Sequence, residues 1–232
     1  MTDAAPDPFH DPAVIAATVD VLAAFAGDGP ALELGVGDGR IAIPLAARGV
    51  AVHGIDIAPE AIARLRARPG GGELPVTLGD FAAVHVADEG TFSLVYLVYN
   101  TIMNLETQAA QVACFRNAAR HLRPGGWFVI ETMLPALRRL PPGERFVVFD
   151  GGPGHWGIDE YDVAVQRLVS HHFDVVDGAA TLSSGAFRYV WPAELDLMAA
   201  LAGLELRHRW SDWTRAPFTD ESTAHVSAWA RP

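Results

Sequence analysis

The chain has 232 residues, half of them hydrophobic and 19% charged, with a formal net charge of −11 and a single cysteine. This length supports one sizeable α/β core and is short for two, and one thiol forms no internal disulfide. All 17 basic residues are arginines, which excludes chemistry that needs lysine, such as a phosphate-binding P-loop or a Schiff base, and the acidic balance argues against nucleic acid as a partner.

The first twelve residues, with three prolines and three aspartates, read as a lead-in to an amphipathic helix over 13–26. The next run, Ala31-Leu32-Glu33-Leu34-Gly35-Val36-Gly37-Asp38-Gly39-Arg40, combines an apolar strand, three alternating glycines and the start of a helix near Arg40. Glycines in that spacing let backbone fold tightly against a ligand. A dinucleotide fingerprint needs glycine where Arg40 stands, so an NAD-dependent oxidoreductase is the weaker reading. Val52-His53-Gly54-Ile55-Asp56-Ile57 is a second apolar segment ending in an acid, and Val76-Thr77-Leu78-Gly79-Asp80-Phe81 is a third. Asp56 suits two roles, accepting from both hydroxyls of a ribose or capping the helix that begins at Ala58-Pro59-Glu60.

The Glu-x-Gly-x-Gly-x-Gly run followed by acids at the ends of the next two strands resembles the class I S-adenosylmethionine-dependent methyltransferases. The resemblance covers 31–132 and, in general form, the closing helix and strands. It implies a doubly wound, Rossmann-like mixed sheet of seven strands with the last antiparallel, and S-adenosyl-L-methionine as methyl donor. Glu33, Gly35, Gly37, Gly39, Asp56, Ile57, Asp80, Phe81 and Val98 would then hold that donor, Asp80 accepting from the adenine amino group and Phe81 meeting the ring. Strands fall near 31–35, 51–56, 75–79, 92–98 and 126–132, and helices near 40–48, 59–68 and 107–121. Arg123-Pro124-Gly125-Gly126 reads as a turn feeding the fifth strand.

After Glu131 the pattern changes. Residues 135–191 read as an antiparallel β-ribbon inserted over the carboxyl edge of the sheet, with Val163 to Phe173 as one strand and Asp177-Gly178 as a hairpin turn. A helix over 192–202 and strands over 204–210 and 225–230 close the fold, making 1–232 one domain.

An activated methyl asks mainly for proximity and exclusion of water, with a base only where the acceptor must lose a proton early. Acceptor-side candidates are Tyr99, Asn100, Thr101 and Asn104 beyond the fourth strand, and His171 on the ribbon. Glu131 and His172 are the candidate proton acceptors, and adjacent histidines on a strand point to opposite faces. Phe9, Trp156, Tyr161, Phe187, Tyr189 and Trp191 are available to wall an acceptor pocket or to fill core. The histidines lack metal-ligand spacing, so no metal is expected. The expectation is a cytoplasmic enzyme, monomer or homodimer, that methylates O or N of a small molecule without touching nucleic acid or membrane. A noncatalytic S-adenosylmethionine-binding module is the alternative.

Overall fold

The computed structural model describes residues 11–152, 154–176 and 178–232. Phe9, His10, most of the expected lead-in and the Asp177 half of the expected hairpin turn lie outside them. The helices are α1 (Pro12–Ala26), α2 (Ala42–Ala47), α3 (Pro59–Ala67), α4 (Gln108–His121) and α5 (Pro192–Leu201). The strands are β1 (Ala31–Leu34), β2 (Val52–Asp56), β3 (Val76–Leu78), β4 (Phe92–Leu97), β5 (Leu122–Met133), β6 (Phe146–Gly151), β7 (His155–Asp162), β8 (Arg167–Val176), β9 (Ala179–Arg188), β10 (Glu205–Trp210) and β11 (Ala224–Ala230).

Seven strands form the main sheet in the order β10-β11-β5-β4-β1-β2-β3. The strands β1 to β5 run parallel and β11 runs antiparallel to both neighbours. β1 and β4 are buried along their whole length, as a parallel sheet covered on both faces requires. On one face Leu22 of α1, Leu45 of α2 and Leu65 of α3 pack with Leu94 and Tyr96; on the other, Phe115 of α4 and Met198 of α5 pack with Phe128 and Trp229. Each such side chain, taken wholly out of water, contributes roughly 1.5–3 kcal/mol. Asp11 caps α1 by accepting from the Ala13 N–H at 2.8 Å, and Thr107 caps α4 by accepting from Ala110 at 3.1 Å.

Three elements depart from the expectation. Arg123 to Gly126 lies inside β5 as an irregularity, where the pairing with β4 shifts register between Phe92 and Leu94. Gly125 at φ 76° donates to the Arg231 carbonyl, so the sheet continues through it. α2 starts two residues late, at Ala42. Val163 to Gln166 is a turn and not strand, because the Asp162 carboxylate accepts from the Ala164 N–H at 3.0 Å and Gln166 adopts φ 55°.

The insertion is a second sheet of four antiparallel strands, β6-β7-β8-β9, twice the strand number that the hairpin signal predicts. Val147, Tyr161 and Leu168 on its inner face join the core with Ile102, Met103 and Leu105. A buried polar clamp fixes it. Arg188 of β9 donates to Gln111 of α4, to Gln166 at 3.0 Å and to Glu194 of α5 at 2.6 Å. Among the described residues, no helix is long and apolar enough to cross a membrane.

Candidate functional site

From β1 the chain turns to β2 and β3 on one side, and from β4 it turns to β5 on the other, so the tips of β1 and β4 diverge. This is the switch point where open α/β sheets hold ligands. A cleft of about 280 Å³ opens there, lined by Glu33, Gly35, Val36, Gly37, Arg40, Arg64, Val98, Tyr99 and Thr101 among others. The glycines are structural requirements as much as spacers. Gly35 sits at φ 75°, and a Cβ on it would fall 2.5 Å from Thr101 Cγ2. Gly37, which also lines the cleft, sits at φ 55° with nothing within 4 Å of its Cβ position, so a side chain there would enter open space.

Glu33 is 3% exposed and accepts from the Tyr96 hydroxyl, its cross-strand neighbour, at 2.9 Å. Burial pushes its carboxyl up to about 8, against the lowering effect of Tyr96 and Arg40. A carboxylate held in this way favours a cationic ligand group that restores its charge. Arg40 lines the same cleft, its guanidinium 5.1 Å from the Tyr99 ring centre. Asp56 accepts from two backbone N–H groups at once. One oxygen accepts from Gly37 N–H at 2.7 Å and the other from Ala58 N–H at 2.9 Å. It therefore clamps the glycine loop and steadies the start of α3, where Ala58 and not Asp56 is the capping residue. A carboxylate has about four lone-pair sites, leaving capacity for ligand hydroxyls.

Ile57 stands 68% exposed beside Asp56, and Leu78, the β3 partner of Asp56, is 57% exposed. Two bare apolar side chains at neighbouring strand tips suit a flat ring. Asp80 is exposed and accepts from Ala82 N–H at 2.8 Å. The Phe81 ring is buried in the core beside α4. Gly39, Asp56, Ile57, Asp80 and Phe81 are not among the residues that line the cleft; Asp56 ends β2, Ile57 follows it, and Asp80 and Phe81 come just after β3, next along the sheet edge.

Beyond β4, Tyr99 and Asn100 both adopt left-handed backbone, at φ 59° and 60°, a strained arrangement for such residues. Glu131 holds it. Its carboxylate accepts from Tyr99 N–H at 3.0 Å and from the Trp213 indole N–H at 2.8 Å, and burial raises its pKa. Asn100 turns its carbonyl to Met133 N–H at 2.6 Å, pinning β5, and Asn104 donates to the Thr101 carbonyl at 3.2 Å. Of these expected acceptor-side residues, Tyr99 and Thr101 line the cleft, whereas Glu131, Asn100 and Asn104 hold its wall.

The ribbon histidines separate as the alternation predicts. His172 faces inward, its Nε2 3.3 Å from Ser170 Oγ and its Nδ1 3.0 Å from His155 Nε2. His171 faces outward, bonding Ser184 at 2.8 Å and approaching Glu160 at 3.5 Å, and so leaves the inner face. Of the aromatics, Tyr161 and Tyr189 are buried, while Trp156 and Trp191 are exposed. Sequence reasoning missed Arg40, Arg64, Leu78 and His155. Arg40 had drawn notice only as an absent glycine; Leu78 was visible as an apolar strand end beside an acid; His155 needed the register of β7 on β8. Cys114 is a buried core residue, and no cluster of three metal-ligating side chains occurs among the described residues.

Residues 31–126 match the family model described as a methyltransferase domain. The chain is 36% identical to the CcbJ methyltransferase of Streptomyces caelestis, covering 99% of this chain and all of that one, with a TM-score of 0.87. It is 29% identical over 196 residues to a cypemycin N-terminal methyltransferase of a Streptomyces species, 82% of this chain and 78% of that protein. CalS10 of Micromonospora echinaspora, an amino pentose methyltransferase whose structure holds bound S-adenosylmethionine, shares the fold at a TM-score of 0.71 and 19% identity, over 98% of this chain and 93% of that one.

Proposed function

The chain belongs to the class I S-adenosylmethionine-dependent methyltransferases, and from that premise we propose that it methylates an amine nitrogen of a small molecule. The observation that carries the donor site is one cleft pairing a buried carboxylate, Glu33, with a guanidinium, Arg40. That pair complements the ammonium and carboxylate of an amino-acid head, and the empty Cβ position of Gly37 leaves the space such a head needs. In this reading Asp56 takes ribose hydroxyls, Ile57 and Leu78 flank the adenine, Asp80 receives its amino group, and Gly35, Gly39, Val98 and Phe81 shape the backbone and walls around them.

Bound there, S-adenosylmethionine supplies a methyl carbon already activated by a sulfonium. What remains for the protein is placement and dryness. Tyr99 and Thr101 line the donor cleft, and Glu131 sets their turn through the Tyr99 N–H. The ribbon serves as the acceptor-side cap. Gln111 ties it there, donating to the Ile102 carbonyl at 3.3 Å and to the Arg188 carbonyl at 3.1 Å. Nitrogen is favoured over oxygen because the 29% identical relative is an N-terminal methyltransferase.

Calorimetric titration with S-adenosylhomocysteine tests the donor site, with saturable one-to-one binding at micromolar affinity expected. Labelled methyl transfer to matched amines and phenols then tests the acceptor atom: transfer to phenols alone removes the nitrogen assignment, and no donor binding removes the whole reading.

A further inference from the structure

The turn between β10 and β11 closes on itself and sends one side chain back towards the donor cleft. Asp212 accepts from the Thr214 N–H at 2.8 Å and from the Thr214 hydroxyl at 2.6 Å, and the Ser211 N–H bonds the Ala216 carbonyl at 2.9 Å. Within this turn Trp213 is 4% exposed and belongs to the core cluster of Val36 and Val98, both of which line the cleft. Its indole N–H donates to Glu131 Oε1 at 2.8 Å, and Glu131 Oε2 accepts from the Tyr99 N–H at 3.0 Å. The Tyr99 ring in turn lies beneath the Arg40 guanidinium, at 5.1 Å from its centre. Trp213 is thus joined, through Glu131 and Tyr99, to the cation that the donor reading assigns to the amino-acid head.

Packing accounts for the ring of Trp213 but not for its N–H, since a phenylalanine would fill core without bringing a donor that needs a partner. The need lies at the other end of the chain of contacts. Tyr99 and Asn100 hold φ 59° and 60°, and strained residues of this kind persist only where their surroundings over-determine them. Asn100 is fixed through its side chain, which accepts from the Met133 N–H at 2.6 Å; the Tyr99 N–H is held by Glu131. A carboxylate grips an N–H about twice as strongly as a neutral acceptor does, so Tyr99 is held best while Glu131 is ionised. Burial pushes Glu131 towards its protonated form, and the Tyr99 N–H, the Trp213 N–H and the Arg40 charge pull against it. Trp213 therefore acts on Tyr99 twice, by orienting the carboxylate and by keeping it charged.

We propose that Trp213 is a positioning residue of the donor site: through Glu131 it sets the Tyr99 ring and, against that ring, the Arg40 guanidinium that meets the carboxylate of the donor's amino-acid head. The inference rests on the methyltransferase reading and adds to it a residue from the far end of the chain. Trp213 touches neither donor nor acceptor. Its influence falls on the head end of the cleft, because Asp56, Ile57, Leu78 and Asp80, which that reading assigns to the adenosine half, stand at or just past the tips of β2 and β3. In the sheet β1 separates those tips from β4 and the turn that follows it.

Two ligands divide the cleft for a test in the full chain: S-adenosylhomocysteine carries the amino-acid head, and methylthioadenosine lacks it. Trp213→Phe removes the N–H and keeps a ring in the core, and Glu131→Gln keeps the side-chain shape while removing the charge; thermal melting checks that both variants fold. Affinities are read by competition against labelled S-adenosylhomocysteine, which also registers weak ligands. Each variant should bind S-adenosylhomocysteine about 10-fold more weakly, the scale of one charge-assisted hydrogen bond, and methylthioadenosine within about twofold of wild type. The double variant should lose little more than either single one, since both substitutions cut the same chain of contacts. Equal losses for the two ligands, the mark of a merely structural role, overturn the inference. So do losses that add in full in the double variant, and so does undiminished binding of S-adenosylhomocysteine. A wild type that binds neither ligand would instead remove the methyltransferase reading itself.

Discussion

At the tips of β1 and β4 the backbone makes the site: positive-φ glycines open a cleft, Asp56 grips a loop N–H, and Glu131 grips another. In the ribbon, side chains make the contacts, each reaching across a strand to the next. The first arrangement is written in consecutive residues and tolerates little change, because a single Cβ can close it. The second is assembled from β6, β7 and β8 and should degrade link by link. On the proposed function, donor binding at the cleft should therefore be separable by mutation from what the ribbon does.

The largest effect should come from Gly35→Ala. The new Cβ would meet Thr101 Cγ2 at 2.5 Å on a backbone at φ 75°, costing about 3 kcal/mol of stability through strain and overpacking. Affinity for S-adenosylhomocysteine should fall ~100-fold or more, about 3 kcal/mol. Gly37→Ala is its control: nothing in the protein meets that Cβ, so melting should show only about 1 kcal/mol of left-handed strain while calorimetry shows the same loss of ligand. Equal melting losses in both variants would break the claim that the Gly37 space belongs to a ligand.

Next in size is Glu194→Ala, on the ribbon side. Burial pushes the Glu194 carboxyl up, but bonds from Gln166, Arg188 and Gln108 outweigh it and hold the pKa below the ordinary value. Removing it strands Arg188, whose side chain is 6% exposed, at a cost of about 2–3 kcal/mol in denaturant unfolding. Donor affinity should stay within about twofold, since the clamp lies outside the backbone site. A large loss of donor binding would show that the two regions are one unit.

Glu33→Gln sharpens the donor side through pH. In the folded protein without donor, Glu33 keeps its proton up to about pH 8, whereas an unfolded glutamate loses it near 4.5. The folded state binds the extra proton across that window, so this group's share of stability is full below 4.5, falls as pH rises to about 8 and stays constant above. Glu33→Gln removes that fall and should be the more stable form above pH 8 in melting experiments. An ammonium seated on ionised Glu33 displaces the proton, so wild-type donor affinity should rise with pH towards 8 with measurable proton release. The variant should bind about 1.5–3 kcal/mol more weakly near pH 8, without that release.

How far each region is legible in the sequence follows from the same contrast. β1 to β4, the glycine loop and the three acids are local signals, because a buried parallel strand and its turn are specified within about ten residues. The sequence offers Asp56 as a ribose ligand or a cap; the cap falls to Ala58, and the grip on Gly37 depends on how the loop folds back. The ribbon failed at the same step. Asp177-Gly178 marks one hairpin; Phe146-Val147-Val148-Phe149 is strand-prone, but nothing local says which strand it pairs with. The meeting of His155 with His172 needs the pairing of Gly157 with His172, a distance effect that no spacing rule contains. Val163 to Gln166 reads as strand from its valines because the Asp162 side chain, not the apolar pattern, decides the turn.

The smallest expected effect divides the two faces of the ribbon. His171 and His172 are adjacent, and composition or proximity arguments treat them alike. His171 bonds Ser184 and approaches Glu160 on the outer face, apart from the inward pair of His155 and His172. His171→Gln keeps a side-chain donor and acceptor and should leave donor affinity and the rate of methyl transfer to an amine within about twofold, with stability changed by less than about 0.5 kcal/mol, as for a surface site. If His171→Gln slows transfer as much as His172→Gln, the outer face handles the acceptor and the division between the faces fails. If only the inward histidine matters, period-two alternation alone has separated a working residue from its neighbour.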